Sequence, residues 1–222
     1  MRIVDPPSPG SPPPPPRSPP AFLLVRPWAT RFTAVIVVAV SLLALADRHL
    51  LALLAKDNDG LRAGELWRLF TPGLVHGSIL HLAMNVFFLN DLGSLVERLF
   101  GRWRMLAVLW GGVATGVAAS FFWSENPSVG ISGGLFALVG AMLAQGLLHW
   151  RRIAPPLRRM FVRGPIEVVL LNLALGLTVP VIDNAGHMGG LAGGLVLGAI
   201  AGLRPEVLAV IAPRPRTPWR EG

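Results

Sequence analysis

Long apolar runs, separated by short polar stretches, dominate this chain. Six such runs occupy approximately residues 31–46, 78–96, 105–123, 132–150, 165–182 and 185–203. Most have the roughly 17–25 residues that a helix needs to cross a bilayer. The first run is short, so its helix is expected to begin before Arg31 or to continue past Asp47. The alternation typical of membrane β-strands is absent from the sequence, and lipid cannot satisfy free backbone groups. The pattern therefore predicts an all-α, polytopic membrane protein with a bundle of six transmembrane helices.

Composition supports a membrane protein. The chain is 52% hydrophobic and only 14% charged, whereas a soluble domain carries about 25% charged residues. It has no cysteine, which excludes disulfides, thiolate nucleophiles and Cys-based metal sites. No cofactor is expected. A cleavable signal peptide is not expected either, because no small-residue cleavage site follows the first apolar run.

The chain divides into three parts. Residues 1–27 are rich in Pro and Ser, and such a segment is predicted to be a disordered cytoplasmic tail. Residues 28–204 form the predicted membrane domain, and residues 205–222 are predicted to be a short basic cytoplasmic tail.

The distribution of basic residues predicts the orientation of the bundle. Sixteen of the twenty Lys and Arg residues lie in the N-terminal region, the second and fourth loops and the C-terminal region. With six spans these regions share one side, which the positive-inside rule makes cytoplasmic. Both termini are therefore expected in the cytoplasm. The arginines form no single cluster, so nucleic acid is not an expected partner. Short loops and a compact form favour a prokaryotic plasma membrane.

Ser132 opens the fourth apolar run, between glycines, in the string Gly130-Ile131-Ser132-Gly133-Gly134. A serine there most often serves as a helix N-cap. The flanking glycines, however, let another backbone approach the hydroxyl, and a helix N-terminus offers free N–H groups to a developing oxyanion. Ser132 is thus a candidate nucleophile.

His187 lies early in the sixth run, where glycines recur every fourth residue from Gly186 to Gly202. Such a face permits close helix contact, and the fourth run carries a shorter matching face at Gly133, Ala137 and Ala141. The alternative is a structural histidine that only forms an interhelical hydrogen bond. Both Ser132 and His187 lie near the outer ends of their runs, so the two could share a hydrogen bond.

His81 and Asn85 are four residues apart in the second run, which places both on one helix face. Two donors at the depth of a serine would suit an oxyanion hole, although an interhelical hydrogen bond would explain them equally well. A metal site is not expected, because the sequence has no His-Glu-x-x-His motif and no set of three ligands at clear spacing.

Several motifs in order resemble those of the rhomboid intramembrane serine proteases. They are Trp67-Arg68, His81 with Asn85, Glu97 with Gly101, Gly130-Ile131-Ser132-Gly133, and His187 with Gly190. The resemblance covers about residues 65–203.

The resemblance implies a Ser132–His187 dyad without a third acid. It also implies that His81, Asn85 and the Ser132 N–H bind the oxyanion. The other matching residues would support the site, and the implied substrates are single-pass membrane proteins cut near the outer face. The chain departs from the family pattern at Phe136, where a tyrosine is usual. The phenyl ring can still pack on His187, so a modest effect is expected.

Two other functions stay open. A catalytically silent, rhomboid-like protein that binds membrane clients would typically lack the serine or the histidine, and this chain has both. A small transporter would carry its polar residues at mid-depth, whereas here they gather near one face.

Overall fold

The computed structural model describes residues 21–179 and 181–211, and this part of the chain is almost entirely helical. The helices are α1 (Trp28–Ala46), α2 (Arg48–Leu54), α3 (Asn58–Arg62), α4 (Ile79–Phe88), α5 (Ser94–Phe100), α6 (Arg102–Trp123), α7 (Ser132–Leu148), α8 (Gly164–Thr178), α9 (Asn184–Ala201) and α10 (Pro205–Ile211). A π-helical turn, Leu89–Gly93, joins α4 to α5. Another, Arg159–Arg163, leads into α8. Among the described residues, β-type pairing is limited to one bridge between Lys56 and Ser128.

Helices occupy all six predicted apolar segments. Four helical stretches are individually long and apolar enough to cross a membrane: Trp28–Ala46, Ile79–Phe100, Arg102–Trp123 and Pro155–Thr178. The pair α9–α10, bent by 96°, passes the same test as one unit, and α7 is a shorter apolar helix. The predicted multi-pass helical architecture is confirmed, and the count of six crossings stays a prediction.

Helix α1 begins at Trp28, so the expected earlier start is confirmed. Pro27 precedes it and gives no side-chain cap. The buried Glu97 carboxylate caps the helix instead: it accepts from the N–H of Ala29 (3.1 Å), the N–H of Thr30 (2.8 Å) and the Thr30 hydroxyl (2.7 Å). A carboxylate at a helix N-terminus also complements the helix dipole. Glu97 therefore joins the α4–α5 stretch to the start of α1.

The structure corrects both predicted domain boundaries. Residues 21–27, assigned to the disordered tail, include a 3-10 turn at Ala21–Leu24 in which Phe22 is buried. Residues 205–211, assigned to the basic tail, form α10, and its Val207 and Ile211 lie in the core. Apolar burial explains both corrections. The rest of both predicted tails lies outside the described residues.

The centre of the fold is a close-packed trio of helices, α6, α7 and α9. A Cβ on Gly190, Gly194 or Gly198 would collide with Gly133, Ala137 and Ala141 respectively. The predicted contact between small-residue faces is thus confirmed. Gly202 is the exception, because it ends α9 with φ +68° and faces open space.

Gly194→Val tests this packing. The added side chain would meet the backbone of Ala137, which cannot move aside, so we expect a loss of at least about 1–3 kcal/mol in stability. Thermal unfolding in detergent provides the measurement. Ala192→Val, on an exposed position of the same helix, is the matched control and should change the melting temperature little. Equal shifts in the two variants would contradict the packing argument.

Candidate active site

Ser132 is the first residue of α7. Gly130, two residues earlier, forms the turn that leads into this helix. Gly130 has φ +120°, a conformation that other residues rarely adopt. Its N–H donates to the Pro72 carbonyl at 2.9 Å. The first hydrogen bond of α7 runs from Leu135 N–H to the Ile131 carbonyl at 3.1 Å. The N–H groups of the helix's first turn, beginning with Ser132, precede that bond and have no partner within the helix.

His187 lies in the first turn of α9, and its Nε2 is 2.9 Å from Ser132 Oγ. Asp183 starts this helix by accepting the Gly186 N–H at 2.8 Å. Its carboxylate thus caps α9. The close approach of Gly190 to Gly133 brings the starts of α7 and α9 together.

Phe136, one turn beyond Ser132, stacks on the imidazole of His187. Their ring centroids are 4.3 Å apart and the planes differ by 11°. His187 Nδ1 is buried, with no hydrogen-bond partner among the described residues. An aromatic face, and not an acid, therefore orients this imidazole. The stack requires a ring at position 136 but no hydroxyl.

A small cleft opens beside the pair. It is bordered by Pro72, Ser128 and Val129 from the loops and by Ser132 and His187. About 30 Å³ of it admits the centre of a water molecule, which is room for one or two waters. The cleft is therefore large enough to hold a water molecule beside the Ser132 hydroxyl.

His81 lies next to Gly130. A Cβ on Gly130 would come within 2.9 Å of His81 Cε1 and Nε2, so the imidazole packs directly against this turn. His76, which is wholly buried, packs edge-on against His81 with centroids 4.9 Å apart. Ser41 Oγ lies 2.9 Å from His76 Nδ1. Helix α1 thus supports the position of His81 through Ser41 and His76.

Asn85 is buried one turn after His81. Its Nδ2 donates to the His81 carbonyl at 3.0 Å. An amide nitrogen carries two hydrogens, so one N–H remains for another acceptor.

Arg68 is buried and organises the loop between α1 and α4. Its Nη1 donates to the carbonyls of Ala52 (2.8 Å) and Ala55 (2.7 Å), and its Nε pairs with Glu65 at 2.5 Å. The neighbouring Trp67 is 46% exposed and lies on the outside of this loop. Of the two residues, Arg68 makes the structural contacts.

Lys56 and Asn58 were missed by the sequence reasoning. The ammonium of Lys56 is fully buried and donates to the carbonyls of Ser124 (2.6 Å) and Asn126 (3.0 Å). Asn58 Nδ2 donates to Glu125 Oε2 at 2.8 Å. These contacts and the Lys56–Ser128 bridge, together called the Lys56 latch, attach the loop between α1 and α4 to the segment that leads to Ser132. The one hint in the sequence is that Lys56 is its single lysine.

Opposing effects act on the pKa of Lys56. Burial lowers the pKa of Lys56 below its ordinary value, and the carboxylates of Asp183 and Glu125 offset only part of that effect. The two carbonyl acceptors favour the ammonium form as well.

Within residues 21–179 and 181–211, no three His, Asp or Glu side chains are grouped so that they could hold a metal ion.

The fold and site define a multi-pass helical membrane protein in which a partly buried Ser–His pair opens to a small cleft. The Rhomboid domain pattern matches residues 63–204, and the chain belongs to the rhomboid family. It is 40% identical over 158 residues to "Rhomboid protease GluP" of Bacillus subtilis, covering 69% of this chain and 30% of that protein.

Other relatives carry less specific names. "RHOMBOID-like protein 6, mitochondrial" of Arabidopsis thaliana is 35% identical over 66% of this chain and 47% of its own length. "Rhomboid-like protease 1" of Toxoplasma gondii is 29% identical over 63% and 48%. The chain spans less than half the length of these relatives.

Lys56→Met tests the latch. The change removes two hydrogen bonds from a charged donor to the carbonyls of Ser124 and Asn126, so stability should fall by about 1–3 kcal/mol. Thermal unfolding is the first measurement. Arg62→Met is the control, because Arg62 contacts the same segment through an ion pair to Glu125 at 2.7 Å with both partners exposed. Such pairs contribute little.

The buried amine offers a second measurement. In the folded protein, an amine-acylating reagent should label Lys56 more slowly, by at least about tenfold, than a lysine introduced by Arg62→Lys, because labelling of a buried group requires local opening. Equal labelling rates would show that the latch is open.

Proposed function

We propose that this chain is an intramembrane serine endopeptidase of the rhomboid type. The observation that carries the proposal is the 2.9 Å separation between His187 Nε2 and Ser132 Oγ. The similarity to a relative named as a rhomboid protease supports it. A serine hydroxyl is a poor nucleophile unless a base contacts it, and histidine is the side chain best suited to that task near neutral pH.

The mechanism follows from this pair. Ser132 Oγ attacks the scissile carbonyl while His187 Nε2 accepts its proton, and the imidazole then returns that proton to the leaving amine. A water molecule in the cleft then attacks the acyl-enzyme while His187 Nε2 accepts its proton, and the ester bond to Ser132 breaks as that proton passes to Ser132 Oγ. To accept at Nε2, the neutral imidazole carries its own proton on Nδ1. The Phe136 stack keeps the ring in register for both proton transfers.

The proposed oxyanion hole combines backbone and side-chain donors. The Ser132 N–H is free at the start of α7, His81 packs against Gly130, and Asn85 retains a second amide hydrogen. Donors that are held in place before reaction stabilise the negative charge without reorganisation. We assign His81 and Asn85 to this role. Gly130, Gly133, Phe136, Gly190, Arg68 and Glu97 are assigned to support the site, with Trp67 beside them on the outer loop.

Substrates and orientation complete the proposal. The Ser132–His187 pair lies at the end of the bundle opposite the arginine-rich loops, so it would face the outside if both termini are cytoplasmic. The proposed substrates are membrane proteins cleaved within or near a transmembrane segment. Relatives come from Bacillus, Arabidopsis and Toxoplasma, and we propose a plasma membrane on the basis of the short loops alone.

Ser132→Ala should abolish cleavage of a model transmembrane substrate and labelling by a fluorophosphonate serine-hydrolase probe, because the nucleophile is gone. His187→Ala should reduce both by several orders of magnitude, since the base is lost. Ser128→Ala is the control: Ser128 borders the same cleft and should remain dispensable. A folded wild type that is never labelled, yet retains a membrane client, would favour the catalytically silent function.

Asn85→Ala and His81→Ala test the oxyanion assignment. Each should lower kcat by about 10²–10³, with a smaller change in KM, because the lost donor acts mainly in the transition state. Met84→Ala, on the exposed side of the same helix, is the control for helix disturbance. Unchanged kcat in both site variants would remove these residues from the proposed hole.

A further inference from the structure

A second and much larger cleft lies at the opposite end of the bundle. It has a volume of about 750 Å³ and is bordered by residues before α1, around the start of α6 and after α9. That volume falls within the range of about 300–1,000 Å³ typical of ligand pockets. Helix α6 begins at this cleft with Arg102 and reaches the active-site cleft at Gly116, 14 residues further on, so the two sites are roughly 20 Å apart along the helix.

Four arginines surround this basic cleft. They are Arg26, Arg102, Arg104 and Arg204. Arg204 pairs with Glu206 at 2.6 Å, whereas within the described chain Arg26, Arg102 and Arg104 form no salt bridge. The acid in the lining, Glu97, is buried and occupied by the start of α1. The cleft therefore holds uncompensated positive charge.

Aromatic residues place the cleft at a membrane boundary. Trp28 and Trp103 line it and are 61% and 76% exposed. Tryptophan is enriched at the bilayer–water interface. From Trp28, the exposed Phe32 and Val35 continue along one face of α1. An apolar track thus leads from the arginines towards the lipid chains.

We propose that this cleft binds the headgroup of an anionic phospholipid. The phosphodiester would lie among Arg26, Arg102 and Arg104, where guanidinium groups can form paired hydrogen bonds to its oxygens. One acyl chain would follow the track over Trp28, Phe32 and Val35. Basic pockets between transmembrane helices bind such headgroups in other membrane proteins. A free phosphate would satisfy the arginines but leave the aromatic surface uncovered. The inference goes beyond the proposed proteolysis and does not depend on it.

Native mass spectrometry of the full chain in neutral detergent tests the proposal. Phosphatidylglycerol should bind the wild type more tightly than phosphatidylcholine does. Each arginine near an anionic headgroup contributes about a factor of five, so Arg26→Gln combined with Arg102→Gln should weaken phosphatidylglycerol binding by on the order of tenfold or more. Melting temperatures in phosphatidylcholine verify that the variant is folded.

A matched charge control separates the cleft from general surface attraction. Arg151→Gln combined with Arg152→Gln removes two exposed arginines from the turn after α7, on the predicted cytoplasmic side, where neither forms a salt bridge within the described chain, and should leave binding nearly unchanged. Equal weakening in both double variants, or none in either, would overturn the proposal. Inorganic phosphate is the second arm: displacement of the lipid by low concentrations of phosphate would identify a soluble-anion site instead, whereas persistence of the lipid supports the headgroup site.

Discussion

The contact that the rest of this structure depends on is the close approach of α7 and α9 through residues without side chains. At Gly190, Gly194 and Gly198 the backbones meet so closely that a methyl group would collide with the facing helix. In a bilayer the hydrophobic effect does not drive helices together, so packing and interhelical hydrogen bonds must do so. This contact brings two residues 55 positions apart in sequence into hydrogen-bonding range. Helix α6 completes the trio through Gly112, which meets Ala137 and Gly134.

The loop between α1 and α4 also contributes to the geometry of the site, because it holds the segment that leads to Ser132 in place. Arg68 closes the loop on itself, and Lys56 and Asn58 bind it to residues 121–126. Pro72 then holds the Gly130 N–H. The proposed nucleophile therefore stands on a turn whose position is set from two directions. Such support allows catalytic groups to keep their geometry without rearrangement during the reaction.

His187 is held differently from the histidine of a Ser-His-Asp triad. In a triad an acid fixes the tautomer and orientation of the imidazole. Here Phe136 stacks on the ring, and the carboxylate nearest in sequence, that of Asp183, caps its own helix. Stacking needs only an aromatic ring, which the phenylalanine at position 136 supplies.

The sequence by itself determined the helical membrane architecture, because apolar length and arginine placement are local properties. It also indicated the small-residue faces, because a four-residue spacing of glycines can be seen within a single helix. It singled out four polar residues within apolar segments, where burial in lipid is costly: Ser132, His187, His81 and Asn85.

Only the tertiary structure decided how loops and ends pack. The burial of Lys56, the capping of α1 by Glu97 and the folding of residues 205–211 onto the core all join residues that are distant in sequence. A lysine in a charged loop and a glutamate at a helix end look solvated until their partners are known. The basic cleft likewise exists only because the starts of α1 and α6 and the end of α9 meet at one end of the bundle.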